Sequence, residues 1–194
     1  LIHNMMDKVD LILIGGAMAF TFLKVQGKNV GSSLIDKDNL KVAEDIIALT
    51  EKTDTNLVLP VDVVAAPEMA QDAPWRVAGL DEMEDDESGF DIGPETTMNY
   101  ELLLSDAKTI IWNGPMGVCE IPAFATGTQA IASAVRDRTE EGAISIIGGG
   151  DTASALKEMG INDGFTHIST GGGASLQLIS GKQLPALEAL DDYA

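Results

Sequence analysis

Two segments of this chain join an apolar, strand-like run to three consecutive glycines and then to a stretch able to form a helix. They are Ile146-Ile147-Gly148-Gly149-Gly150-Asp151-Thr152 and Ile168-Ser169-Thr170-Gly171-Gly172-Gly173-Ala174-Ser175. Residues without a Cβ can adopt positive φ and bring backbone N–H groups close to a ligand. The helix that follows adds unpaired N–H groups and the positive end of its dipole. Such a cradle suits phosphate. A single glycine triplet reads more readily as a tight strand-to-helix turn. Two of them, each at the carboxyl end of a strand where open α/β sheets collect their ligands, favour anion binding.

The elements that must position these loops are legible in the hydropathy pattern. Apolar β-type runs recur at Leu11 to Ile14, Asn56 to Leu59, Thr109 to Trp112, Ala143 to Ile147 and Thr166 to Ser169. Between them, apolar residues fall at helical spacing: Leu40, Ala43, Ile46, Ile47 and Thr50; Tyr100, Leu103 and Leu104; Phe124, Thr128, Ile131, Ala132 and Val135. Strands alternating with helices predict an α/β, Rossmann-like, three-layer doubly wound fold with a parallel sheet of about five or six strands. The stretch from Val61 to Gly93 is rich in Pro, Asp and Glu and reads as a long excursion, with Trp75-Arg76-Val77 as its one strand-like patch. Pro94 and Glu95 then suit the first turn of a new helix. Leu1 to Lys8 read as the last turns of a helix that begins upstream.

Composition narrows the function. The 194 residues hold 31 acidic against 12 basic side chains, a formal charge of -19. Nucleic acids and anionic membranes call for a basic face, so neither is expected as a partner. No apolar run reaches the ~18 residues of a membrane span. The single Cys119 reads as a small hydrophobe and suits the reducing cytoplasm. An anionic ligand must here be held by backbone dipoles and a metal ion, not by the overall field. Within that charge, the run Glu82 to Glu87 reads as a solvated loop, with a cation site as the lesser alternative.

The first strand also ends in glycines, Gly15-Gly16-Ala17-Met18-Ala19-Phe20-Thr21-Phe22-Leu23. It lacks the third glycine of GxGxxG and the Gly-Lys-Ser/Thr of a Walker A loop, which argues against a nicotinamide enzyme of the same fold. Taken with Ile14-Gly15-Gly16-Ala17 through Lys24, the blocks Leu59-Pro60-Val61-Asp62-Val63-Val64, Asp91-Ile92-Gly93-Pro94, Trp112-Asn113-Gly114-Pro115-Met116-Gly117-Val118, Ile147-Gly148-Gly149-Gly150-Asp151-Thr152 and His167-Ile168-Ser169-Thr170-Gly171-Gly172-Gly173-Ala174-Ser175 closely resemble the carboxyl-terminal, nucleotide-binding domain of phosphoglycerate kinases. They occur in the family's order across nearly the whole chain.

The resemblance implies phosphoryl transfer between 1,3-bisphosphoglycerate and Mg-ADP, giving 3-phosphoglycerate and ATP in glycolysis. It implies that Gly149, Gly150, Asp151 and Thr152 lie along the nucleotide phosphates, with Asp151 as the Mg2+ partner; a plain helix N-cap is the alternative role for Asp151. Glu120 resembles the ribose-binding carboxylate, Asn113 and Pro115 match a loop lining the nucleotide cleft, and Gly15, Gly16 and Gly89 match positions near the adenosine, turn roles for these glycines being equally open. Gly171, Gly172 and Gly173 resemble the helix terminus facing the transferred group. One terminus supplies ~0.3–1 kcal/mol, so cations must share the work.

The family places a catalytic lysine upstream of Leu1 and an arginine with the basic 3-phosphoglycerate pocket in an amino-terminal domain. On this reading residues 1–194 form the carboxyl-terminal domain without its first strand and lysine segment, inactive alone, from a monomeric cytoplasmic enzyme. His167, Ser169 and Thr170 resemble the hinge, with His167 read as a packed structural residue. Ala17 and Cys119 depart from the glycine and phenylalanine common at those positions. A stand-alone adenine-nucleotide-binding or scaffold module is the alternative.

Overall fold

The computed structural model describes residues 2–169 and residue 181. In chain order the elements are α1 (Ile2–Met5), β1 (Leu11–Leu13), α2 (Gly16–Val25), α3 (Leu40–Thr50), β2 (Asn56–Val58), β3 (Asp62–Ala66), β4 (Arg76–Gly79), β5 (Ser88–Ile92), α4 (Pro94–Leu104), β6 (Thr109–Asn113), α5 (Thr126–Glu140), β7 (Ile144–Gly148), α6 (Gly150–Glu158) and β8 (His167–Ile168). Every apolar run singled out above as a strand is one, within a residue or two at its ends.

All five of those strands pair in parallel, in two sheets. β1 pairs with β2, and β7 lies between β6 and β8. Side chains alternate across the strands and so divide between two apolar layers. Ile12 and Leu57 join the core formed with α2 and α3, while Leu13 and Val58 join the core of α4, α5, β6 and β7. Strands with helices on both faces are what a parallel sheet requires, since neither face is left to water. Tyr100 of α4, fully buried, links the layers: its hydroxyl donates to Ile14 O at 2.7 Å and Val58 O at 3.2 Å. Burial drives the Tyr100 phenol well above its ordinary pKa, so it remains a donor.

The 61–93 stretch departs from expectation. It forms a three-stranded antiparallel sheet, β4-β3-β5, with a register shift between Val64 and Ala65. β3 is buried throughout; Val63 and Ala65 enter the α2–α3 core, and Val64 and Ala66 pack with Phe124. A strand buried on both faces shows no polar alternation, so periodicity passes over it.

Two local corrections follow from side chains that act across long sequence gaps. α4 begins at Pro94 as predicted, but its N-terminus is capped by Asp62, whose carboxylate accepts from Glu95 N at 3.0 Å, Thr96 N at 2.7 Å and Thr96 Oγ1 at 2.6 Å. The acidic run is not wholly solvated either. Glu87 is 9% exposed and accepts two hydrogen bonds from Arg76, Nε to Oε1 at 2.7 Å and Nη2 to Oε2 at 2.8 Å. The guanidinium holds the Glu87 carboxyl below the usual range, helped by the N–H of Glu84. Among the described residues, no group of three His, Cys, Asp or Glu side chains could hold a metal ion.

Candidate functional site

Three strand ends converge on one rim. At the first, Gly15 precedes α2 in extended conformation and Gly16 donates its N–H to Met116 O at 3.0 Å. At the second, β6 ends at Asn113 and turns through Gly114 and Pro115; the Trp112 indole holds this turn by donating to Gly114 O at 2.7 Å. The third is the end of β7, where Gly148 stands opposite Asn113 in the ladder and the chain passes through Gly149 into α6. Gly114 N donates to Thr152 Oγ1 at 2.7 Å, which ties the second loop to the first turn of α6. Gly15, Gly16, Asn113, Pro115, Gly149 and Thr152, separated by up to 137 positions in sequence, thus belong to one connected edge.

The α6 terminus has no side-chain cap. Gly149 occupies the N-cap position with φ 89° and ψ 133°, a conformation that L side chains rarely adopt, and it offers no side chain to cap the helix. The first N–H groups of α6 therefore have no side-chain acceptor at the cap. Asp151 is exposed in the first turn and is not the cap, which leaves its carboxylate free of the alternative role weighed above. Gly150 is exposed beside it, and Thr152 is fully buried beneath them.

Next to the rim lies a cavity of about 510 Å3, bordered by α2, the antiparallel sheet and the 115–118 loop. Gly16, Gly89 and Pro115 line it, as do Phe20, Leu34, Met69 and Phe90. Its walls are mainly apolar. Gly15 stands just outside the lining, against Met116. Glu120 is exposed on the turn after Val118 and does not line the cavity. The predicted glycines of the second triplet, Gly171, Gly172 and Gly173, lie outside the described residues, as does Thr170. His167 is exposed on β8 and not packed, whereas Ser169 is buried and its N–H donates to Ile147 O at 2.8 Å.

One side chain in the cavity wall went unassigned by sequence reasoning. Asp91, on β5, is 3% exposed and accepts from Gly127 N at 2.7 Å and Ile92 N at 2.9 Å. Burial pushes its carboxyl up to about 7, the two N–H groups offsetting only part of that effect. Nearby, burial also raises the Cys119 thiol, which donates to Thr128 Oγ1 at 3.3 Å. The quoted block Asp91-Ile92-Gly93-Pro94 contained the aspartate, but an acid in a strand carries no sign of which loops will close over it.

The phosphoglycerate kinase family model matches residues 1–182. The chain belongs to the phosphoglycerate kinase family. It is 49% identical over 191 residues to phosphoglycerate kinase of Chloroherpeton thalassium, covering 98% of this chain and 48% of that protein, and 50% identical to phosphoglycerate kinase of Prosthecochloris aestuarii with the same coverage. The solved phosphoglycerate kinase of Coxiella burnetii superposes with a TM-score of 0.91 at 44% identity, over 96% of this chain and 48% of that one. That of Pyrococcus horikoshii gives 0.82 at 32% identity, over 97% and 47%. The chain thus spans about half the length of the phosphoglycerate kinases it matches. No helix among the described residues is long and apolar enough to cross a membrane.

Proposed function

We propose that this chain is the carboxyl-terminal, nucleotide-binding half of a cytoplasmic phosphoglycerate kinase, which transfers a phosphoryl group between 1,3-bisphosphoglycerate and ADP to give 3-phosphoglycerate and ATP. The observation that carries this reading is the connected rim: three glycine-containing strand ends, tied by Gly16 N to Met116 O and Gly114 N to Thr152 Oγ1, beside an apolar cavity. A nucleoside fits the cavity, and its phosphates reach the α6 terminus along the rim. Gly149 and Gly150 present N–H groups to them, and Asp151, exposed in the first turn, faces solvent where a hard cation would share its ligands between one carboxylate and phosphate oxygens. Mg2+ there would neutralise phosphate charge, which matters in a chain of charge -19.

In this reading Asn113 and Pro115 shape the rim, Gly15, Gly16 and Gly89 let the backbone approach the adenosine, and Glu120 accepts from ribose hydroxyls when nucleotide is bound. Gly171, Gly172 and Gly173 would orient the transferred group. Phosphoryl transfer rests mainly on alignment and charge neutralisation, so nucleotide binding by this half is one part of the reaction, and turnover would also need the family's catalytic lysine, arginine and acid-substrate pocket. The arginine and that pocket would come from the amino-terminal half of a monomeric enzyme, and the lysine from the carboxyl-terminal half itself. The test is calorimetric titration of the chain with Mg-ADP. Saturable binding is expected, abolished by EDTA and weakened at least tenfold by Asp151→Ala, a loss of about 1.4 kcal/mol. Binding of equal strength with and without EDTA would defeat the metal assignment, and a folded chain that takes up no Mg-ADP would defeat the nucleotide reading.

A further inference from the structure

Asp91 has no part in the chemistry just described, yet it stands in the cavity wall where β5, the 115–118 loop and the first turn of α5 meet. Its Oδ2 accepts from Gly127 N at 2.7 Å, in the first turn of α5, and its Oδ1 accepts from Ile92 N at 2.9 Å, on its own strand. The 115–118 loop lies directly against the same carboxylate. A Cβ on Gly117 would collide with Asp91 Oδ1 and with the carbonyl of Phe124, and a Cβ on Gly127 with Asp91 Oδ1 and Ile92. Val118 N completes the joint by donating to Phe90 O at 2.9 Å. Two glycines have thus been cut to fit around one acidic side chain.

We propose that Asp91 is a positioning residue for the nucleotide cleft: its carboxylate pins the α5 terminus to the end of β5 and packs against the 115–118 loop, and so fixes the wall against which the nucleoside rests. The inference builds on the nucleotide reading given above and concerns the nucleoside end of the site, remote from Asp151. An ionised carboxylate accepts at both oxygens and favours the positive end of α5, whereas a neutral acid gives up one acceptor and that charge. With the carboxyl raised to about 7, the pin changes strength across neutral pH. The titratable groups facing it are few. The 115–121 loop contributes Cys119, which burial keeps neutral, and Glu120 beyond it. The first turn of α5 has only Thr126, Gly127 and Thr128, and the partner strand β3 places Val64 opposite, its Asp62 carboxylate being turned to α4.

The test is Mg-ADP affinity, by calorimetry, of the wild-type chain and Asp91→Asn at pH 6 and pH 8, with melting temperature recorded on the same samples. Protonation of the nucleotide itself is common to both proteins and cancels in their ratio. The variant, neutral at every pH, is expected to match wild type at pH 6 and to bind about three- to tenfold more weakly at pH 8, the weight of one hydrogen bond. A second variant, Gly117→Ala, drives the loop and the carboxylate apart and should weaken binding at both pH values. A ratio for Asp91→Asn that stays at one, or that departs from one but does not change with pH, overturns the proposal while the nucleotide reading stands. A wild-type chain that binds no Mg-ADP overturns both.

Discussion

The buried Asp91 carboxyl makes a prediction about stability that is independent of any ligand. In the folded chain it releases its proton near pH 7, against 3.8 for the free side chain, because removal from water disfavours the anion more than the N–H groups of Gly127 and Ile92 favour it. Between those values the folded state holds a proton that the unfolded chain has lost, so stability falls as pH rises through that window and levels off above it. About three pKa units at about 1.4 kcal/mol each amount to ~4 kcal/mol at pH 8, of which roughly a third is already spent at pH 5. The remaining ~2.5–3 kcal/mol corresponds to about 5–10 °C in melting temperature for a domain of this size. Thermal melts of wild type and Asp91→Asn at pH 5 and pH 8 isolate the effect, since every other titrating group is shared. The melting temperature of the variant minus that of wild type should rise by that amount from pH 5 to pH 8. A difference that does not change would mean that Asp91 does not titrate in this range, and the reasoning from burial would fail.

Two further predictions concern the joints that hold the site. Thr152→Val removes the acceptor for Gly114 N at a fully buried position with little change of volume, and should cost ~1–3 kcal/mol in denaturant melts while also weakening Mg-ADP; unchanged stability would show that water replaces the bond. Asp62→Ala strips the cap from α4 and leaves Glu95 N and Thr96 N without it, a loss of ~1–2 kcal/mol, and Asp62→Asn should recover part of it; a loss under ~0.3 kcal/mol for Asp62→Ala would refute the capping role.

Much of the rim was legible because glycine leaves a strong mark. The Gly148–Gly150 turn sits at the end of β7 as its composition demanded, with Gly149 at φ 89°. The helix faces built on Ala43 and Ile46, on Tyr100 and Leu104, and on Ile131, Ala132 and Val135 are the buried ones, whereas Leu103, read with Tyr100 and Leu104, is exposed. In each case the information is local: a period of 3.6, or a backbone angle open to one residue type. The antiparallel sheet was seen only at β4, because Asp62–Ala66 is buried on both faces and the acidic residues around it suggested a loop. Glu87 looked like one of several solvated carboxylates, and only the approach of Arg76 made it a buried partner.

The sequence by itself determined the strand–helix alternation, the strand ends at which glycines expose backbone N–H groups, and the family, because these depend on residue type and short spacing. The tertiary structure decided which distant groups meet. It put Thr152 under Gly114, Asp62 at the head of α4, and Asp91 between Gly117 and Gly127. Those contacts set the environment of each polar group, and environment, not identity, fixes whether an aspartate is a cap, a metal ligand or a buried acid that holds its proton to about pH 7.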